Sequence, residues 1–381
     1  MNEENEISDF DWLDGVLGIP EDSEPALHLC QPNVDNPNFL LPMTHPKATA
    51  EFVNKFNDDI GMAKRLKTLT AQLSAKAGVF DKLAPKTGSD NVALLRRWPL
   101  ITELEKQLDE DELLAAITIG ERRRNRKPVL HLVTPEGKNV GFAKVGWSEL
   151  SNKLVQQESA LLQLVEDRLG PNLVAPKVTA EFEWASGTVV VTSPVPLNPT
   201  PTKSEFSAEH FKAIAEVNGT KVESFKDLDF VGDTPEIADH VNLDLLLSRY
   251  EDDMVRMGFW HGDLTPWNTS TNGNTISVWD WEFGSDNAPV GFDQLHRAFE
   301  ILRRDPANTA TEAIHGIHSQ AAKILQPLNQ PVESVFRLYI IELLRRELML
   351  QGQLFANAGL NQLPQLIAFL REDGLGTLTE G

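Results

Sequence analysis

The sequence predicts an α+β chain with two lobes: a small antiparallel-sheet lobe, then a mainly helical large lobe, preceded by an N-terminal extension. Three observations predict it. Strand-type runs follow one another from Leu113 to Val145, and helical periodicity dominates from Ser207 onward. Within the helical part lies one dense segment, Gly258 to Gly284 (GFWHGDLTPWNTSTNGNTISVWDWEFG), which reads as a loop and a hairpin crowded with acids and amides. A chain of 381 residues has room for two such lobes, and its 41% hydrophobic and 24% charged content is that of an ordinary globular protein.

Residues 1–37 are acidic, with nine Asp or Glu and no Lys or Arg in the first 25, and are broken by Pro20, Pro25, Pro32 and Pro37, so a segment that is mobile or lies on the surface is expected there. Phe10, Trp12, Leu13, Val16 and Leu17 form a small amphipathic cluster inside it, a docking turn or a partner peptide. Residues 38–112 read as a helical extension. Phe52, Val53, Phe56, Ile60, Ala63, Leu66, Leu69 and Leu73 recur at helical steps between Ala48 and Ala77. Thr102 and Glu105 have capping-box spacing for a short helix over Glu103–Leu108.

Residues 113–196 form the small lobe: strands Leu113–Ile119, Val129–Val133 and Val140–Val145, a helix Ser151–Leu169, then a buried strand over Thr188–Thr192. A proline-rich run from Ser193 to Pro201 marks the crossover to residues 197–381. There, helices are expected over Ala208–Val217, Glu236–Met257, Phe292–Arg303, Ala307–Leu325, Pro331–Leu354 and Leu363–Arg371.

Composition narrows the function. A net charge of −21 argues against nucleic-acid binding through the bulk field. No apolar run is long enough for a membrane span, and the acidic start lacks a signal peptide's basic residues. One cysteine, Cys30, cannot form an internal disulfide, which fits a reducing compartment; the cytoplasm is the expected location. There is no Walker A sequence, zinc-type Cys/His cluster or nucleophile elbow.

The dense segment points to phosphoryl chemistry. Asn272-Gly273 favours a tight turn, and a hairpin folded there would bring Asn268 close to Asp280. An amide oxygen beside a carboxylate makes a hard-oxygen site that suits Mg²⁺ together with phosphate and water. Glu282, two residues on, would share the strand face of Asp280. Asp263, five residues before Asn268, is placed to take a proton from a hydroxyl attacking phosphorus.

HGDLxxxN followed by an apolar strand and DWE resembles the aminoglycoside phosphotransferase and choline kinase branch of the protein-kinase-like superfamily. The resemblance covers about Leu113 to Leu354. It implies a bilobal kinase-like fold, ATP and Mg²⁺ as cofactors, Asp263 as catalytic base, Asn268 and Asp280 as metal ligands, and a small-molecule hydroxyl as acceptor. It further implies that Lys144, in Phe142-Ala143-Lys144-Val145, contacts nucleotide phosphates while paired with Glu158 on the following helix. It makes Asp293 a brace for the loop, and His261 a bracing residue and not the base. The family's small-molecule kinases lack a strict glycine loop; here Gly120 is followed by Arg122, Arg123, Arg124 and Arg126, of which one or two, with Arg122 and Arg124 the candidates, would bind phosphate. A kinase-like scaffold without catalysis is the alternative. The acceptor, whether sugar, amino alcohol or aminoglycoside, and any protein partner of the extension stay open.

Overall fold

The computed structural model describes residues 8–31, 33–35, 37–55, 92–120, 124–185, 187–197, 206–228, 235–350 and 362–372. Two compact units emerge. One takes Met1–Gln163 and Pro176–Thr202, the other Leu164–Ala175 and Lys203–Gly381.

An eight-stranded, wholly antiparallel sheet organises the first unit. Its strands are β1 (Ala26–Gln31), β2 (Phe39–Pro42), β3 (Val92–Leu95), β4 (Leu114–Thr118), β5 (Val129–Val133), β6 (Asn139–Val145), β8 (Val178–Trp184) and β9 (Gly187–Thr192). The spatial order is β3-β1-β2-β4-β5-β6-β9-β8. Strand alternation sorts side chains between the two faces. Ala115, Ile117, Leu130, Leu132, Ala143 and Val145 face one core with helices α1 (Asp9–Leu17) and α3 (Pro99–Leu108). Ala116 and Val133 face another with α2 (Pro46–Lys55), whose Ala48 and Phe52 are buried. Helix α4 (Glu149–Val165) follows β6.

Within the N-terminal segment, residues 8–31 are packed where a mobile acidic tail was expected, and the amphipathic cluster takes its docking-turn alternative. Within residues 8–31, α1 is capped by the Ser8 side chain and buries Leu13 and Leu17 completely. Three indole N–H groups lie around it: Trp98 donates to Asp14 (2.8 Å), Trp184 to the Val16 carbonyl (3.1 Å), and Trp147 to the carbonyl of Arg126 (2.6 Å). Arg126 in turn pairs with Asp9 at 2.8 Å and lies over the Trp12 ring. The acidity that suggested mobility hid one Asp that has a buried cation waiting for it. Residues 38–112 likewise supply strands β2 and β3 as well as helices; of the long helix expected over Ala48–Ala77, α2 covers the start and residues 56–91 lie outside the described residues. Helix α3 begins a turn earlier than expected, with Pro99 at its first position; Thr102 donates to Glu21 and does not cap.

The second unit carries helices α5 (Ala208–Ala215), α6 (Pro235–Ala238), α7 (Leu243–Arg249), α8 (Phe292–Arg304), α9 (Ala310–Leu325), α10 (Val332–Leu350) and α11 (Leu363–Glu372). Two small sheets accompany them. Strands β10 (Lys221–Ser224), β11 (Met254–Trp260) and β14 (Ser285–Pro289) form one; β12 (Thr269–Asn272) and β13 (Thr275–Val278) form a hairpin joined in parallel by β7 (Leu173–Val174). The helix expected over Glu236–Met257 is instead two short helices and then β11. Its core gathers Phe225, Met257, Phe292, Phe299, Phe336, Tyr339 and Phe369. Among the described residues no helix is long and apolar enough to cross a membrane.

Candidate active site

Strand β11 delivers Trp260 to the core, and the chain then turns through His261-Gly262-Asp263. Gly262 has φ 89, and a Cβ there would run into the Phe283 carbonyl, so this turn requires glycine. Asp293, in the first turn of α8, accepts the backbone N–H groups of His261 (2.9 Å) and Gly262 (3.2 Å). Burial pushes the Asp293 carboxyl up to about 6 even though both N–H groups and nearby His296 and Arg346 favour its charge. From α10, Arg346 donates to the Gly262 carbonyl at 2.6 Å and lies over the rings of Trp260 and Phe283. Glu342, buried, holds Arg346 and Arg345; its desolvation is outweighed by these two cations and its carboxyl sits below the ordinary range.

His261 is committed to the backbone. Its Nδ1 lies 3.1 Å from the Asp263 N–H and must accept, so Nε2 carries the proton and donates to the Trp279 carbonyl at 3.0 Å. Burial pushes its pKa down to about 4 against the charges of Asp263 and Asp280. The ring is fixed in one neutral tautomer between two strands of chain, the geometry of a brace.

Asp263 itself is about a quarter exposed. The turn behind it closes through Thr265 N–H to the Asp263 carbonyl, and a 3₁₀ turn over Pro266–Asn268 brings the Asn268 side chain back. The Asn268 Nδ2 donates to both the Asp263 carbonyl (3.0 Å) and its Oδ2 (2.9 Å). An amide whose N–H₂ is spent in this way has its oxygen turned to the opposite side, where a cation could use it. The other carboxylate oxygen, Oδ1, faces His296 Nε2 of α8 at 3.2 Å. Arg297 donates to the Leu264 carbonyl at 3.3 Å; burial pushes its pKa down to about 10 although Asp293 opposes the shift.

The hairpin places Asp280 relative to Asn268. Thr269 pairs with Val278, and the Trp279 N–H donates to the Asn268 carbonyl at 3.1 Å. Its two-residue loop is Gly273-Asn274, one residue later than the Asn272-Gly273 turn expected, because Asn272 pairs with Thr275. Gly273 supplies the positive φ of 61. The strand stops at Val278, so Asp280 and Glu282 do not share a strand face. Asp280 instead adopts φ 69, a left-handed conformation that a non-glycine residue holds only at a cost. In that bend the carboxylate oxygens of Asp280 and Glu282 come within 4.8 Å of each other. Two carboxylates and an amide oxygen are a donor set that suits Mg²⁺.

In the first unit, Lys144 stands on β6 on the face opposite Ala143 and Val145. Its Nζ lies 2.7 Å from Oε1 and 2.6 Å from Oε2 of Glu158, which is buried on α4. The structure thus brings together Lys144 with Glu158, and Asp263 with Asn268. Of the loop arginines, Arg122 lies outside the described residues and Arg124 is exposed. Arg126 is removed from the phosphate candidates by its buried pair with Asp9. Sequence reading assigned no part to His296, Arg297 or Arg346. The first two were within reach, since positions three and four after Asp293 share its helix face; Arg346 lies 84 residues from its partner Gly262 and left no local signal.

No family profile matches this chain, and no curated protein matches it. Solved structures similar to it include a thermostable mutant of the aminoglycoside phosphotransferase APH(4)-Ia in ternary complex with ADP and hygromycin B. That likeness has 16% identity and a TM-score of 0.45 over 71% of this chain and 98% of the other. The GDP and kanamycin complex of APH(2")-IIIa (15%, TM-score 0.38, 72% and 97%) and an amicoumacin kinase with AMP-PNP and Ca²⁺ (10%, TM-score 0.39, 72% and 96%) are similar in the same loose way. Such loose likeness leaves the chemistry of the site to its own residues.

Proposed function

We propose that the chain is an ATP- and Mg²⁺-dependent phosphotransferase that moves the γ-phosphoryl of ATP to a hydroxyl of a small molecule. The observation that carries this reading is the Asp263–Asn268 pair, a carboxylate and an amide locked 2.9 Å apart on a loop braced from Asp293, His261 and Arg346. In the reaction the acceptor oxygen bonds to the γ-phosphorus, the bond from that phosphorus to the ADP oxygen breaks, and Asp263 takes the hydroxyl proton. Asn268 and Asp280, with Glu282 beside them, would hold Mg²⁺, whose charge offsets that of the phosphates. Lys144, kept extended by Glu158, is assigned to the nucleotide phosphates. His261 has no lone pair to offer a substrate, which leaves proton transfer to Asp263.

The test follows ADP release over a panel of sugars, amino alcohols and aminoglycosides, and then compares variants on the best acceptor. Asp263→Asn keeps shape and loses basicity, so kcat should fall on the order of 10²–10⁴-fold with Mg²⁺-ATP binding kept. Asp280→Ala should instead abolish Mg²⁺-dependent nucleotide binding by calorimetry. Full kcat in Asp263→Asn would overturn the base assignment; nucleotide binding without turnover on any acceptor would leave the scaffold reading.

A further inference from the structure

We propose that His296, held by Tyr339, is a positioning residue that fixes the plane of the Asp263 carboxylate; this rests on the phosphotransferase reading above. A carboxylate a quarter open to solvent can rock about its last torsion, which is broad and weakly restrained. One hydrogen bond leaves it that freedom, whereas two bonds on different oxygens fix its plane. Here Asn268 Nδ2 donates to Oδ2 at 2.9 Å and His296 Nε2 lies 3.2 Å from Oδ1. An ionised carboxylate has no proton to give, so the hydrogen between His296 and Asp263 belongs to Nε2.

The second ring nitrogen secures that tautomer. His296 Nδ1 lies 3.1 Å from the Tyr339 hydroxyl, which is wholly buried. Burial holds the Tyr339 pKa well above its usual value, so the hydroxyl keeps its hydrogen and donates it to Nδ1. Tyr339 is itself clamped by the rings of Phe292, Phe299 and Phe336. A rigid aromatic core therefore sets a tyrosine, the tyrosine sets a histidine, and the histidine sets the carboxylate. Misplacement of a catalytic group by as little as an ångström costs on the order of 10²-fold in rate.

Three variants and one spectrum test this. His296→Phe keeps the ring and removes the donor; kcat should fall on the order of 10²-fold, with KM for ATP unchanged. His296→Gln puts an amide N–H near the place of Nε2 and should recover most of that loss. Tyr339→Phe removes only the hydroxyl and should fall between them. A merely structural role would lower the melting temperature and move KM without separating Gln from Phe. Wild-type kcat in His296→Phe, or a Gln variant no better than Phe, overturns the proposal. The spectrum needs no turnover: ¹⁵N NMR of the histidine rings should show His296 protonated at Nε2, with that resonance moved by Asp263→Asn. An Nδ1-protonated ring, or a resonance indifferent to Asp263→Asn, overturns it too. Absence of phosphoryl transfer in the wild-type protein would sink the kinase reading alone, and the spectrum would then decide the contact by itself.

Discussion

Asp293 is a carboxylate buried for the sake of two backbone N–H groups, and the conflict has a measurable sign. Its pKa is raised from about 3.8 unfolded to about 6 folded. The folded state therefore binds its proton more tightly, and the associated stability is fully present below pH 3.8 and lost as pH rises through 6. A rise of that size corresponds to about 3 kcal/mol. Asp293→Asn does not titrate, and its amide N–H₂ must face a backbone N–H, so it should be less stable than wild type at pH 7.5. The gap should widen at pH 5, where wild type gains and the variant does not. His261, depressed to about 4, contributes in the opposite sense as pH falls from 6.5, but it does so equally in both proteins and cancels from the comparison. Thermal melts of the pair at the two pH values check this; a gap that narrows toward pH 5 would contradict the burial cost.

Helix α1 shows that a docking turn legible in its apolar pattern still hides the buried pair that anchors it, because composition does not reveal partners distant in sequence. Its Asp9 and the Arg126 guanidinium are each under a tenth exposed, and Trp12 covers the cation. Arg126→Met leaves a buried carboxylate beside lost stacking and should cost about 3–5 kcal/mol, whereas Asp9→Leu together with Arg126→Met should recover most of that loss. Denaturant midpoints of the single and double variants measure it. Other elements were plain in the sequence for physical reasons. Val129–Val133 is an apolar run flanked by proline turns, and its bounds were read to the residue. The hairpin announced itself by its glycine, one residue out of register, whereas Asp293's bracing position was implied only by the family resemblance. Strand β11 was not legible: Leu243–Arg249 has helical pattern, every residue from Val255 to Trp260 is at least partly buried with no two-residue alternation, and no proline or glycine interrupts the chain between Glu236 and Gly258. Only the acidic turn Glu251-Asp252-Asp253 marked the break. β1 and β2 were obscured likewise, being short runs set among acids and prolines.

At the scale of the molecule, each of the two units has a large core of its own among the described residues. One gathers Leu13, Leu40, Trp98, Leu130 and Val189 around the eight-stranded sheet; the other gathers Phe225, Met257, Phe292, Phe336 and Tyr339 among the helices. Chains built of more than one compact unit, each with its own core, commonly depart from all-or-none unfolding. Calorimetry of the ligand-free protein should therefore show two heat-absorption steps. Arg126→Met weakens only the sheet unit's anchoring of α1 and should lower one step alone. Phe336→Ala removes a wholly buried ring from the helical core, a loss of about 3–5 kcal/mol, and should lower the other alone. A single transition that both substitutions shift together would show that the two cores are coupled strongly enough to melt as one.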